Sequence, residues 1–177
     1  MKSVVVFGSS RAKVGSREYT RATELGAALA HRAVEVRCGG YGGAMEAVSR
    51  GAREAGGRVV GCTLSWEGEA RKANGWLSEE IASPTLEARI EALLRGTCAA
   101  IAVHGGVGTL NEMLWVWTLL LHGIEAERRL VLLGDPFREL MEFLSAKFEV
   151  DGTARGLVRV ATTTEEAVNL AVGGRTV

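Results

Sequence analysis

Short apolar runs alternating with longer helical stretches constrain this chain more than any other feature. The runs are "SVVVFG" (3–8), "VEVRC" (34–38), "RVVGC" (58–62), a shorter one near 79–82, "CAAIAV" (98–103), "RLVLLG" (129–134) and "LVRV" (157–160). Helices are expected over 18–32, 44–55, 85–95, from Thr109 onward, 136–148 and 164–172. Strands that are apolar nearly throughout must be covered on both faces, and their alternation with helices makes the pairing parallel. The expected fold class is therefore α/β, a doubly wound, mainly parallel sheet in a single domain over residues 1–177. A chain of this size buries roughly 70% of its unfolded surface, enough for one core.

In such sheets a ligand sits beyond the carboxyl ends of the strands, where the chain direction switches. Three glycine clusters fall there: "GSS" (8–10), "CGGYGG" (38–43) and "HGGVGT" (104–109). The 21 Lys+Arg balance the 21 Asp+Glu, so no bulk field attracts nucleic acid or an anionic membrane, and an anion has to be held by a local device. A glycine turn leading into a helix is such a device, because its amides are bare and the helix dipole is positive there. Neither loop fits a Walker A pattern, which needs a lysine after the glycines. Both fail GxGxxG, with Asn111 and Met45 standing where the third glycine belongs.

Two readings of "TLNE" (109–112) follow from helix physics. Thr109 as N-cap with Glu112 reaching back from N3 is a capping box, and on local grounds this reading leads. Arg89 in "LEARIEALLR" reads locally as a solvated helix charge. The three cysteines (Cys38, Cys62, Cys98) lack metal-ligand or CxxC spacing and read as free thiols; no metal or cofactor is expected. "MKSVVVFGSS" reads as a first strand rather than a signal peptide, and the longest apolar stretch falls short of the ~20 residues that span a bilayer, so a cytoplasmic location is expected.

The glycine loops also carry a resemblance. "HGGVGTLNE" resembles the PGGxGTxxE signature of the LONELY GUY (LOG) family, whose members have been labelled lysine decarboxylases. "GGYGGAMEAVSRGAREAGGRVVG" is similar to the family's GGxxGxMxAVxxGAxxxGGxVxG stretch, and "VVVFGSS" to its first strand and serine turn. The likeness runs from about Val4 to Trp117. It implies a Rossmann-like homodimer or higher homo-oligomer, and a phosphoribohydrolase that cleaves the N-glycosidic bond of a purine nucleoside 5′-monophosphate to free base and ribose 5-phosphate. Carried over, Gly105, Gly106, Gly108 and Thr109 would bind the phosphate. Gly8, Ser9, Gly40, Gly43 and Met45 would line the cleft, and Arg89 with Glu112 would be the catalytic pair. Lysine decarboxylation is not implied, since Lys2, Lys13, Lys72 and Lys147 fall in no loop suited to a pyridoxal Schiff base.

The chain departs from the family where His104 replaces proline, where Ile90 replaces the lysine of an Arg-Lys pair, and where "GCTLS" follows the third strand. These departures point toward a second reading: a non-catalytic nucleotide- or cofactor-binding sensor or carrier of the same fold, such as the molybdenum-cofactor carriers. His104 reads more readily as a turn residue than as an acid/base group. In "SWEGEARKANGW" (65–76), Trp66 or Trp76 could stack on a base and Arg71 or Lys72 could meet phosphate, although a surface loop is the plainer expectation. "MLWVWTLLLHG" (113–123) is apolar around most of a helix, which suits either the core or a subunit interface.

Overall fold

The computed structural model describes residues 1–65 and 71–173. Strand β1 (Ser3–Phe7) leads to helix α1 (Arg17–His31), β2 (Glu35–Cys38), α2 (Ala44–Glu54), β3 (Val59–Leu64) and β4 (Glu79–Ser83). The chain continues through α3 (Leu86–Leu94), β5 (Ala99–Ala102), α4 (Val107–Leu121), β6 (Arg129–Leu133) and α5 (Asp135–Lys147). It ends with α6 (Gly152–Gly156), β7 (Val158–Ala161) and α7 (Thr164–Val172). The seven strands are all parallel, in the order β4-β3-β2-β1-β5-β6-β7. The chain winds outward from β1 to β4 and then returns to place β5 against the other side of β1. That is the switch point, and it opens a crevice above the ends of β1 and β5.

Alternation within the central strands divides the core between the two faces. Val4, Val6, Ile101 and Val131 pack with α1, α2 and α7 on one side; Val5, Phe7, Ala100, Ala102 and Leu132 pack with α3, α4 and α5 on the other. These side chains are all buried, so the strands are apolar throughout rather than every second residue, as a doubly covered sheet demands. Ile90, which stands where the LOG pattern has a lysine, is buried in the second of these clusters. An ammonium there would face the core.

The sequence expectations hold for all seven strands and for six helices, with ends displaced by one or two residues. Helix α6 was not foreseen: it is a single short turn whose N-cap, Asp151, accepts a hydrogen bond from the Ala154 amide at 2.7 Å. One displacement changes the chemistry. Helix α4 begins at Val107, with Gly106 as its N-cap, and the Leu110 amide donates to the Gly106 carbonyl at 3.0 Å. Thr109 is therefore the third helical residue and not a cap, and the capping-box reading of 109–112 is corrected. The cause is packing: Thr109 lies so close over Gly105 that a Cβ on that glycine would overlap its side chain. This buries the threonine against the turn that precedes the helix.

Candidate functional site

A cavity of about 560 Å³ occupies the crevice. Its floor is the end of β1 and the turn after it (Val6 to Arg11); one wall is Gly39, Tyr41 and Met45 and the other is Gly106 to Thr109 with Glu112. Leu64, Arg71, Leu86 and Arg89 complete the lining. Among the sequence-nominated residues, Gly8, Ser9, Met45, Gly106, Gly108, Thr109, Arg89 and Glu112 thus meet around one space. Gly40, Gly43 and Gly105 lie outside that lining and shape the loops behind it. Gly43 has φ +70°, and a side chain there would run into the backbone of Ser9 and Ser10.

Main-chain bonds join the three loops. The Ser9 amide donates to the His104 carbonyl at 3.2 Å, and the Ser9 carbonyl accepts from the Ala44 amide at 2.7 Å. The Ser9 hydroxyl accepts from the Arg11 amide at 3.0 Å, which closes the β1 turn. The first amide of α2 is thereby occupied by protein. Helix α4 differs: its first intrahelical bond starts at Leu110, and no side chain caps it. The amides of Val107, Gly108 and Thr109 have no acceptor within the helix, and all three residues line the cavity. By contrast, α1, α3, α6 and α7 carry side-chain caps from Ser16, Thr85, Asp151 and Thr163. Bare amides at a positive dipole end form a seat for a phosphoryl group.

Three residues along α4 from Thr109, Glu112 projects from the same helix face. Arg89 of α3 meets it, with Nη1 3.5 Å from Oε1, and the two side chains are only 12% and 15% exposed. Arg89 is held in place by its other nitrogens, Nε donating to the Cys62 carbonyl at 2.7 Å and Nη2 to the Gly39 carbonyl at 3.3 Å. It is a tethered cation and not the solvated helix charge of the local reading. Burial pushes the Glu112 carboxyl up to about 7, and the Arg89 charge pulls against that rise. The group therefore changes ionisation near neutrality, as a residue that exchanges protons with a substrate or water must.

His104 is exposed and lines a smaller neighbouring hollow of about 90 Å³ beside Arg17 and Asp135, so it contributes its carbonyl and not its imidazole to the cleft loops. Trp66 lies outside the described residues. Trp76 is packed beneath Arg50, 5.8 Å from its ring centre, and does not reach the cavity, nor does Lys72; Arg71 does, lying 4.6 Å from the centre of the Tyr41 ring. Sequence reasoning missed Tyr41, Arg11 and Asn74. The one signal for Tyr41 was an aromatic set inside a run of four glycines. No group of three or more His, Cys, Asp or Glu is placed to hold a metal among the described residues. Cys38, Cys62 and Cys98 are free thiols.

Gly105 offers a direct check on the seat. Gly105→Ala is expected to displace Thr109, costing about 1–3 kcal/mol of stability through overpacking, and to weaken phosphate-bearing ligands about tenfold in a calorimetric titration.

Taken together, sheet order, glycine loops and buried ion pair define a doubly wound α/β protein with a cleft at the switch point. The chain belongs to the SLOG cluster4 family, whose model matches residues 1–168, and the LOG-type resemblance is thereby established. It is 31% identical over 145 residues to the pyrimidine/purine nucleotide 5′-monophosphate nucleosidase of Escherichia coli K12, covering 74% of this chain and 32% of that protein. It is 38% identical over 95 residues to the cytokinin riboside 5′-monophosphate phosphoribohydrolase of Mycobacterium marinum, covering 53% of this chain and 51% of that one. The chain thus spans about a third of the length of the first of these relatives and about half of the second. Among solved structures it is similar to TM1055 (31% identity, TM-score 0.73, 96% and 97% of the two chains). It is also similar to the molybdenum cofactor carrier protein of Chlamydomonas reinhardtii (25% identity, TM-score 0.70, 95% and 94%).

Proposed function

We propose that this chain is a hydrolase that binds a purine nucleoside 5′-monophosphate and cleaves its N-glycosidic bond, giving free base and ribose 5-phosphate. The observation that carries the reading is the pairing, in one cavity, of uncapped α4 amides with the buried Arg89–Glu112 pair. The phosphate sits on the amides of Val107, Gly108 and Thr109, which brings the ribose toward Glu112. As the C1′–N bond breaks, its electrons leave with the base and the ribose takes on oxocarbenium character. Ionised Glu112 stabilises that charge and orients the water that adds to C1′, while Arg89 keeps the carboxylate available. The water supplies the hydroxyl on the sugar and the proton on the departing base, so the products balance. The names of the two curated relatives support the same chemistry.

Incubation with AMP, following free adenine, tests the reading. Release that rises through pH 7 as Glu112 ionises is the expected result. Tight AMP binding without release would favour the second reading, a nucleotide or cofactor carrier. The whole-chain likeness to a cofactor carrier and the replacement of a cation by buried Ile90 support that alternative.

The proposed assembly is a homodimer. Helix α4 sends Met113, Val116, Trp117 and Leu120 into the core, and Trp117 Nε1 donates to the Ala154 carbonyl at 2.9 Å. Leu114, Trp115 and Leu121 stay 44%, 45% and 53% exposed, an apolar stripe suited to a second copy. No helix among the described residues is long and apolar enough to cross a membrane. Trp115→Glu is expected to halve the particle mass in sedimentation without loss of helical signal.

A further inference from the structure

The stretch between β3 and β4, residues 71–78 of the described chain, crosses behind the glycine loop at 39–41 and fastens it at one residue. The Asn74 amide donates to the Gly40 carbonyl at 2.8 Å. Its side-chain Nδ2 donates to the carbonyls of both Gly40 (3.1 Å) and Tyr41 (3.0 Å), and its Oδ1 accepts from the Trp76 amide at 3.0 Å. Every hydrogen-bonding group of this asparagine that faces the loop is thus engaged. Leu77, three residues on, packs so closely over Gly61 of β3 that a Cβ there would overlap it, which fixes the height of the crossing segment.

The other side of the same loop holds Arg89. The Gly39 carbonyl accepts from Arg89 Nη2 at 3.3 Å, and the Tyr41 ring lies 5.7 Å from the guanidinium carbon. The Tyr41 hydroxyl accepts from the Leu64 amide at 2.8 Å, so the ring cannot swing. Gly40 sits between these two residues at φ +78°, a conformation that glycine adopts without steric cost. Three consecutive residues are therefore held by two side chains, Gly39 by Arg89, Gly40 by Asn74 and Tyr41 by both.

We propose that Asn74 is a positioning residue that sets where Arg89 stands relative to Glu112, acting through the carbonyls of Gly40 and Tyr41. Aspartate cannot replace it, because both contacts to the loop require N–H donors. Without the grip, the 39–41 turn relaxes, Arg89 loses its Gly39 partner and its ring support, and the 3.5 Å contact to Glu112 lengthens. Among the described residues, the other charged groups on the cavity wall are Arg11 of the β1 turn and Arg71 of the crossing segment, both exposed, while Arg89 touches the carboxylate. The activity arm of the test rests on the hydrolase reading; the structural arm does not.

The test compares Asn74→Ala with Thr163→Ala, which removes the α7 cap far from the cleft and serves as a control for stability loss alone. For Asn74→Ala, kcat for AMP is expected to fall about 10- to 100-fold with KM changed less than about threefold, since the pair is misplaced but the phosphate seat is intact. Its acidic pH limb should move upward by about half a unit or more, because an opposite charge has moved away from the carboxyl. Thr163→Ala should do neither. The same upward shift should be visible in the carbon NMR titration of the Glu112 carboxyl without substrate, which remains readable even if the native protein releases no base. That outcome would defeat the hydrolase reading and leave Asn74 still testable. An unshifted titration, with kcat reduced only in proportion to folded protein, would overturn the proposal. Should Asn74→Ala not fold, Asn74→Ser, which keeps one donor, is expected to give a smaller shift in the same direction, and no shift there overturns it equally.

Discussion

Glu112→Gln is expected to abolish base release while leaving the protein at least as stable as before at neutral and higher pH. The loss of activity follows because an amide keeps the shape and one acceptor but carries no charge to set against a developing oxocarbenium ion; a drop of about a thousandfold or more in kcat is the scale for such a group. The stability gain follows from the direction of the shift. In the unfolded chain the carboxyl titrates near 4.5, and in the folded protein near 7. Between those values the folded state holds the extra proton, so stability declines as pH rises from 4.5 through 7, and the full cost is present above 7. Glutamine removes that decline. Its unfolding free energy should match the native one near pH 4.5 and exceed it at pH 8 by on the order of 1–3 kcal/mol once the weaker contact to Arg89 is allowed for, with the Tm raised at pH 8 accordingly. Retained activity with a lowered Tm at pH 8 would show that the residue serves the helix and not the reaction.

The second large effect is expected at Arg89. Arg89→Met strips the carboxylate of its counter-ion and leaves the Cys62 and Gly39 carbonyls without their donor. Each orphaned acceptor costs about 1–3 kcal/mol, so the Tm should fall by several degrees, the opposite sign to Glu112→Gln. Activity at pH 7 should drop about a hundredfold or more, and the acidic limb of the rate profile should move to higher pH because Glu112 is no longer held toward ionisation. Arg89→Lys separates charge from geometry. An ammonium supplies the charge but cannot span three partners on two strands' ends and a helix. It is expected to restore part of the pH profile and little of the stability. A Lys variant as stable and active as the native protein would show that the fork of bonds to Cys62 and Gly39 contributes nothing.

Periodicity was enough to reveal the layered sheet, because β5 and the stretches Val4–Phe7 of β1 and Leu130–Leu133 of β6 are apolar without a break, which a doubly covered parallel strand tolerates. The glycine loops pointed to the crevice for a related reason: bare backbone is needed where chains cross closely. What stayed hidden depends on contacts between residues far apart in sequence. Local pattern assigned Thr109 to a helix cap, whereas in the fold α4 starts at Val107 and Thr109 packs against Gly105. Arg89 looked like any helical arginine until β2 and β3 brought two carbonyls to it. Trp115 and Trp117 were indistinguishable in "LWVWT", yet one reaches Ala154 and the other faces outward. Asn74 gave no sign at all, since an asparagine in a polar loop carries no periodic or motif signal. The family signature pointed to the residues that meet around the cleft; the contacts that hold those residues in place are tertiary and were not legible.

The knot at Ser9 ties the loops after β1 and β5 to the start of α2 through peptide groups alone. Side-chain identity around the cleft is thereby uncoupled from its shape: residues such as Arg11, Leu64, Arg71 and Leu86 are free to diversify without disturbing the frame on which they are mounted. Drift in what such a protein accepts should accumulate at those four positions, while the scaffold beneath keeps one geometry across many ligands.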